Sequence, residues 1–387
     1  MKISIYILLV CIAGFFLLPS CEKDKEPTID DHFLNYEIPD VPVTQDYIVG
    51  VNYVYKSTYG EARYKALFAK TPVLGEYADI KAQIPGSSAM VLDSHLVWLN
   101  KAKVDFLLVT IRSGSGALSS YNSDISYINA ILSSPYLGNI KIAFAYDFGG
   151  LGLGTSYPTA TDKSMLIENK PGAVAKYIDD FKTFMTPFFD LPSYLKIGNK
   201  NVVFIKSAYR LFSENNAALT NQLRESLNQI GKEVYLVGQQ EKWSPPLRFE
   251  HRFKGAVDAI YHDNYLGIAT NDLTRLYKFN QVTDQAWQYS KAMFNTWGVE
   301  YIPNIGPSRN TNLSGSVQAR SPYYNPYFEK DSAFFVDYCN VGKLNSDVSR
   351  IILVDSWNDW SMDTQMEPAT QYGDRYIKIL RDQFKVK

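Results

Sequence analysis

Eight short runs of β-branched and apolar residues recur along this chain, with longer segments of helical periodicity between most of them. The runs are Tyr47–Tyr55, Val104–Ile111, Ile140–Tyr146, Asn201–Lys206, Glu233–Val237, Val257–His262, Val299–Ile305 and Arg350–Ser356. The helical segments are Ser87–Ala102, Ser119–Ser133, Pro171–Phe188, Glu214–Ile230, Gln281–Thr296, Asp331–Val341 and Tyr372–Phe384. Strands apolar along their whole length, alternating with helices, predict a parallel sheet with right-handed crossovers. A count of eight predicts closure into a (β/α)8 barrel with extended βα loops. The second and eighth runs are the clearest; the fifth and sixth are short, and the connection Gln239–Gly255 shows no helix of its own. The rival is an open doubly wound sheet, which carries a Gly-rich phosphate turn after its first strand. Here Lys56-Ser57-Thr58-Tyr59-Gly60 stands at that point. The Gly-rich run Gly149–Gly154 lacks phosphate-loop spacing and reads as a mobile βα loop at the cleft.

The ends lie outside the barrel. Lys2, the apolar run Ile3–Leu18 and the box Leu18-Pro19-Ser20-Cys21 read as a lipoprotein signal peptide over residues 1–20, with lipid on Cys21. The apolar run is too short for a spanning helix. A lipidated Cys21 anchors a chain to a membrane without crossing it. Residues 21–43 are charged and Pro-containing and read as a flexible tether, leaving 44–387 for the barrel. The acidic patch after Cys21 resembles the surface-export signal of Bacteroidetes lipoproteins, which implies an outer-membrane protein exposed at the cell surface; a solvated linker on a periplasmic lipoprotein is the alternative. With Cys11 in the signal peptide and Cys21 lipidated, Cys339 has no partner for a disulfide. Stability then rests on a large core. A net charge of −1 without a basic stripe argues against nucleic acid. The four His show no ligand spacing, so neither a metal nor another cofactor is expected.

In a barrel, chemistry sits at the C-terminal ends of the strands. Those ends offer Asn52, Tyr53 and Tyr55; Tyr146 and Asp147; Gln239, Gln240 and Glu241; Tyr261, His262, Asp263 and Asn264; Ser308, Arg309 and Asn310; and Asp355, Trp357, Asn358 and Asp359. Aromatics beside carboxylates suit a sugar, because rings stack on the pyranose face and carboxylates perform acid and base work on a glycosidic bond. His262 reads equally as a sugar-hydroxyl ligand or as a satisfied strand-end group. His95 lies within a helical pattern and reads as structural. Lys56 and Arg309 are candidates for an anionic group, with a solvated loop charge as the plain alternative. Asp105 falls at the bottom of the barrel, where a structural role is expected.

The order of several segments resembles glycoside hydrolase family 99, the endo-α-mannosidases, and the related barrel proteins of bacterial polysaccharide clusters described as glycosyltransferase-like. The segments are Thr71–Tyr77, His95–Leu99 with Val104–Phe106, Tyr301–Pro307, Arg320–Tyr324, Ser356–Trp360, Thr364–Pro368 and Tyr372-Gly373. In that family the last block holds two Glu three residues apart, one a base toward the sugar 2-hydroxyl and the other the acid for the leaving oxygen. The first falls on Asp359 and the second on Met362; the family's acidic residue after strand three falls on Asp147. Asp for Glu withdraws a carboxylate by about one bond, and a misplacement near 1 Å costs on the order of a hundredfold. Met donates no proton, and the loss of a general acid costs roughly 10²–10⁴. Asp363, one residue on, is the candidate replacement.

Two functions follow. One is a hydrolase acting on an α-mannoside-type or related oligosaccharide or polysaccharide, with Asp359, Asp363 and Asp147 as candidate catalytic carboxylates. Tyr55, Tyr146, Tyr261, His262, Arg309, Trp357, Asn358 and Trp360 are its candidate sugar contacts. The other is a catalytically degenerate lipoprotein that holds a glycan in the same cleft. A nucleotide-sugar transferase is not indicated, since no Asp-x-Asp motif follows a strand.

Overall fold

The computed structural model describes residues 33–56, 70–153, 159, 161–267, 277–310 and 327–387. Residues 1–20, expected as a signal peptide, Cys21 and the segment Arg320–Tyr324 lie outside the described residues. Within the barrel unit, Ile38–Lys387, ten strand segments form one sheet. They are β1 Ile48–Tyr53, β2 Phe106–Arg112, β3 Lys141–Asp147, β4 Lys196–Ile197, β5 Lys200–Ile205, β6 Val234–Gln240, β7 Ala259–His262, β8 Glu300–Tyr301, β9 Asn304–Ile305 and β10 Ile351–Val354. Their order is β8-β7-β6-β5-β3-β2-β1-β10-β9, parallel throughout, with β4 folded back antiparallel on β5.

The two ends of that path are halves of one extended segment, which closes the ring. Ile302 N donates to Ile260 O at 2.8 Å on one side, and Leu353 N donates to Pro303 O at 2.9 Å on the other. Pro303 has no N–H for a ladder, which is why the segment pairs in two short pieces. All eight expected runs thus become staves of an α/β barrel. The small β4 was not anticipated; Gly198, at φ 57°, turns the chain from β4 into β5.

Strand side chains alternate in direction, and the two buried clusters follow that alternation. Phe106 and Leu108, Ala143 and Ala145, Val202 and Phe204, Tyr235 and Val237, Ala259 and Tyr261, and Ile351 and Leu353 fill the barrel interior. The intervening residues Leu107, Val109, Ile142, Phe144, Val203, Leu236, Ile260 and Ile352 face the helical layer. Gly50 sits where a Cβ would lie 2.0 Å from the Phe106 ring, so the interior aromatic requires glycine on the neighbouring stave.

The outer layer includes α1 Val91–Lys101, α2 Leu118–Ser133, α3 Ala173–Asp179, α4 Thr186–Phe189, α5 Asn216–Asn228, α6 Glu250–Phe253, α7 Phe279–Thr296, α8 Ser332–Asn345 and α9 Arg375–Phe384. Side chains of Asn215 and Asp331 cap α5 and α8. The single helix expected over Pro171–Phe188 is interrupted by a π-turn at Asp180–Met185. Pro187 cannot donate back to the preceding turn, and Asp180 is drawn inward by Tyr146 Oη at 2.6 Å and Ser115 N at 2.8 Å. The Gln239–Gly255 connection contains a short turn at Pro246–Phe249 followed by α6.

Two expectations are corrected here. Residues 38–43, expected in the tether, pack with the barrel: Val41 N donates to Asn340 Oδ1 at 3.1 Å and Val41 O accepts from Lys343 Nζ at 2.7 Å. The glycines after β3, expected as a βα loop over Gly149–Gly154 with Gly154 outside the described residues, take regular structure over Phe148–Leu151. That stretch is a tight turn capped by Asp147, and a Cβ on Gly116 would meet Gly150 O at 2.1 Å. At the barrel bottom, Asp105 accepts from Val49 N at 2.6 Å and pairs with Lys385.

Candidate functional site at the barrel mouth

Continuing the inward alternation past each interior cluster leads to the C-terminal mouth. Asn52, Thr110, Lys206, Gln239, Asp263, Asn304 and Asp355 are the next inward positions, and all line a cleft of about 390 Å³. Its volume falls within the range usual for small-ligand pockets. Tyr261 and Leu353 form part of its floor, and Tyr55, Lys56, Arg112, Asp124, Tyr127 and Asp359 its walls. Arg112 and Asp124 form a two-point ion pair at 2.6 and 2.8 Å. Tyr55 stacks flat on Tyr127, ring centres 5.1 Å apart, and its hydroxyl donates to Thr110 O at 2.7 Å.

Besides Asp124, which is paired with Arg112, three carboxylates share this space. Asp355 accepts from Asn52 Nδ2 at 3.1 Å and from Asn264 Nδ2 at 3.0 Å. Burial holds its pKa above the ordinary carboxylate range; Asp263 and Asp359 push it further up, against opposing pulls from Arg309 and Asn52. A carboxyl held proton-rich among neighbouring carboxylates is the arrangement from which acid and base roles separate. Asp263 accepts from Gln239 Nε2 at 3.3 Å. Asp359 is half-buried and opens the turn Trp360–Met362, with Oδ1 accepting from Ser361 N at 3.0 Å and Ser361 Oγ at 2.6 Å.

The expected site residues divide. Asp359, Tyr55 and Tyr261 line the cleft. Arg309 is half-buried on the loop after β9, its backbone paired with Phe328. Asp147 ends β3 on the same side of the barrel; its Oδ1 accepts from Gly149 N at 2.9 Å, and it is not among the cleft-lining residues.

Six others are corrected. Trp357 and Trp360 are 0% and 1% exposed, so neither offers a ring to a sugar. Trp360 Nε1 donates to Glu367 Oε2 at 2.7 Å. Asn358 spends both amide atoms on the Val54 backbone, each at 2.8 Å. Tyr146 faces outward and donates to Asp180. Asp363 is buried against Lys330, with Nζ 3.5 Å from Oδ1, and also accepts from Gln365 Nε2 at 3.1 Å. Burial lowers the Lys330 pKa to about 8, with Asp363 opposing the shift. Asp363 is thus a structural ion-pair partner rather than a replacement acid in the cleft.

His262 is the sixth. One residue beyond inward-facing Tyr261, it points into the helical layer, where Nδ1 lies 2.9 Å from Tyr301 Oη and Nε2 lies 3.2 Å from Ser244 O. Burial lowers its pKa from 6.5 to about 3. The folded chain keeps this ring neutral while the unfolded chain protonates it below pH 6.5. Its contribution is therefore intact above pH 6.5 and is lost as pH falls toward 3, by at most about 1.4 kcal/mol per pH unit. Unfolding titrations at stepped pH should show a shallower acid loss in His262→Gln than in the wild type; parallel slopes would contradict this assignment.

Lys206, Arg112 and Asp124 were missed. The first two were findable by counting alternate positions upward from Phe204 and from Leu108. Asp124 comes from α2, and no strand count reaches it.

A closed parallel barrel of this kind, with its cleft at the C-terminal mouth, has the layout of a (β/α)8 protein. Residues 156–380 match the family model described as glycosyltransferase WbsX, and the chain belongs to that family. No curated protein sequence matches the chain. Among solved structures, one described as a glycoside hydrolase-like protein is similar with a TM-score of 0.77 and 29% identity, over 92% of this chain and 99% of its own. The glycoside hydrolase family 99 endo-α-mannosidase from Bacteroides thetaiotaomicron, in complex with bis-tris propane, is similar with a TM-score of 0.54 and 16% identity, over 88% of this chain and 97% of its own. A second structure of that enzyme gives 0.51 and 16%, over 82% of each chain. The fold is thus related to that of the family 99 enzymes.

Proposed function

We propose that the mouth cleft binds an α-mannoside-type or related glycan and hydrolyses it, with Asp355 and Asp359 as the working carboxylates. The observation that carries this reading is the convergence of Asp263, Asp355 and Asp359 with Tyr55 and Tyr261 on one cleft. Asp355, with its raised pKa, suits the proton donor to the leaving oxygen. Asp359 takes the base role that its place in the family block implies. Asn52 and Asn264 hold Asp355 in position through its two oxygens. Activity then falls as pH rises through the elevated pKa of Asp355.

A specific observation favours a second reading, glycan binding without cleavage. Met362 stands at the family's acid position, and the adjacent Asp363 is taken up by Lys330. Incubating the chain from residue 22 onward with mannan and α-mannosyl oligosaccharides at high protein load separates the two. New reducing ends support hydrolysis. Retardation in mannan affinity gels without new ends supports binding alone, and neither result removes both readings. The Leu18–Cys21 box supports membrane anchorage of the same protein through lipid on Cys21; a Cys21→Ser chain that still takes up labelled fatty acid at its N-terminus would rule that out.

A further inference from the structure

Beside the three carboxylates lies a pair of cations that the hydrolytic reading does not use. Lys242 follows β6, Arg309 follows β9, and both reach over Gly267, which follows β7. A Cβ on Gly267 would lie 2.8 Å from Lys242 Nζ and 3.2 Å from Arg309 Nε, so two positive side chains crowd one point that glycine leaves open. Arg309 Nε is shielded from solvent and has no hydrogen-bond partner. Among the described residues neither cation has a salt bridge. Glu241, the nearest acid in sequence, pairs with Arg248 at 3.0 Å. The strain of this pairing shows in Lys242, whose pKa is lowered by desolvation first and by Arg309 second. The backbone pairing of Arg309 with Phe328, through bonds of 3.0 and 2.9 Å, keeps its stem from swinging away.

Two like charges crowded at one point favour an anion between them, and the unsatisfied Arg309 Nε offers it a donor; a guanidinium beside an ammonium suits a planar carboxylate or a sulfate. Asp263 and Asp355 lie close enough to influence Lys242 and Arg309 respectively, so the pair flanks the catalytic side of the cleft. Lys206 and Lys56 add positive charge along the cleft wall. We propose that Lys242 and Arg309 form a subsite for an anionic group on the glycan, a carboxylate or a sulfate, which places the charged group of the sugar over Gly267. This inference rests on the glycan reading above and narrows its substrate class.

The test compares polygalacturonate, its carboxyl-reduced form, dextran sulfate and mannan as ligands of the chain from residue 22 onward, by affinity gel and calorimetry at stepped salt. The charged polymers should bind about tenfold or more tighter than the reduced polymer, and Arg309→Gln or Lys242→Gln should remove most of that preference, about tenfold. Preference for polygalacturonate alone assigns a carboxylate; preference for dextran sulfate alone assigns a sulfate. Equal binding of polygalacturonate and its reduced form by the wild-type chain, with no preference for dextran sulfate over mannan, overturns the subsite and leaves the glycan reading intact. This comparison needs no variant to fold. A charge preference that persists in both variants overturns the placement at Lys242 and Arg309. Retention by none of the four polymers removes the glycan reading and the subsite with it.

Discussion

Asp359→Asn is expected to lower glycan hydrolysis by roughly 10²–10⁴ while leaving the fold intact. The fold survives because this side chain opens the turn Trp360–Met362 by accepting from Ser361 N and Oγ, and an Asn oxygen caps nearly as well as an Asp oxygen. The turn therefore stays in place while the carboxylate is gone. Unfolding curves should superpose on the wild type, and reducing-end release on the best substrate should collapse. A variant with unchanged turnover would remove Asp359 from the mechanism and shift the base role to Asp263. Asp363→Asn gives the opposite pattern, since its partner is Lys330 rather than the cleft: stability changes more than turnover.

The second large effect concerns stability. Glu367 and His95 are fully buried, with Oε1 and Nε2 3.1 Å apart. Tyr77 Oη and Trp360 Nε1 donate to Glu367 Oε2 at 2.6 and 2.7 Å, and Tyr53 Oη lies 3.0 Å from His95 Nδ1. This network joins β1, α1 and the loop after β10, and it holds the turn that presents Asp359. Glu367→Ala leaves Tyr77 Oη and Trp360 Nε1 without their acceptor and His95 without the carboxylate beside it, and removing one partner of a buried pair costs about 3–5 kcal/mol. Glu367→Gln keeps one acceptor oxygen for Tyr77 and Trp360 and should recover much of the loss. Urea unfolding of the three proteins checks the ordering, and an alanine variant as stable as the wild type would contradict it. Because Trp360 is released with Glu367, the alanine variant should also lose glycan binding at temperatures where it remains folded.

Much of the site was readable for one reason. In Tyr261 and His262 the strand alternation sends neighbours to opposite faces, so one lines the cleft while the other lies beside Tyr301 in the helical layer. Applying that count from the interior residues reaches Asn52, Thr110, Lys206, Gln239, Asp263 and Asp355, while on β3 it reaches Asp147, which does not line the cleft. The loop after β10 follows no such period. Trp357, Asn358 and Trp360 looked like sugar contacts by composition. They are instead the clamp that fixes the loop, because Asn358 binds the Val54 backbone and Trp360 binds Glu367.

The amino-acid order by itself determined the barrel, because alternating apolar runs and helical periods leave few ways to bury both faces of a sheet. Its resemblance to the family 99 block also pointed to Asp359 and set Met362 opposite that family's acid. Only the tertiary structure decided which polar residues face the cleft. That outcome depends on contacts between segments far apart in the chain, such as Asp355 with Asn52, Asp363 with Lys330, and Lys242 with Arg309 across Gly267. Local pattern carries no record of those distances, since burial and hydrogen bonding are settled when the staves close into a ring.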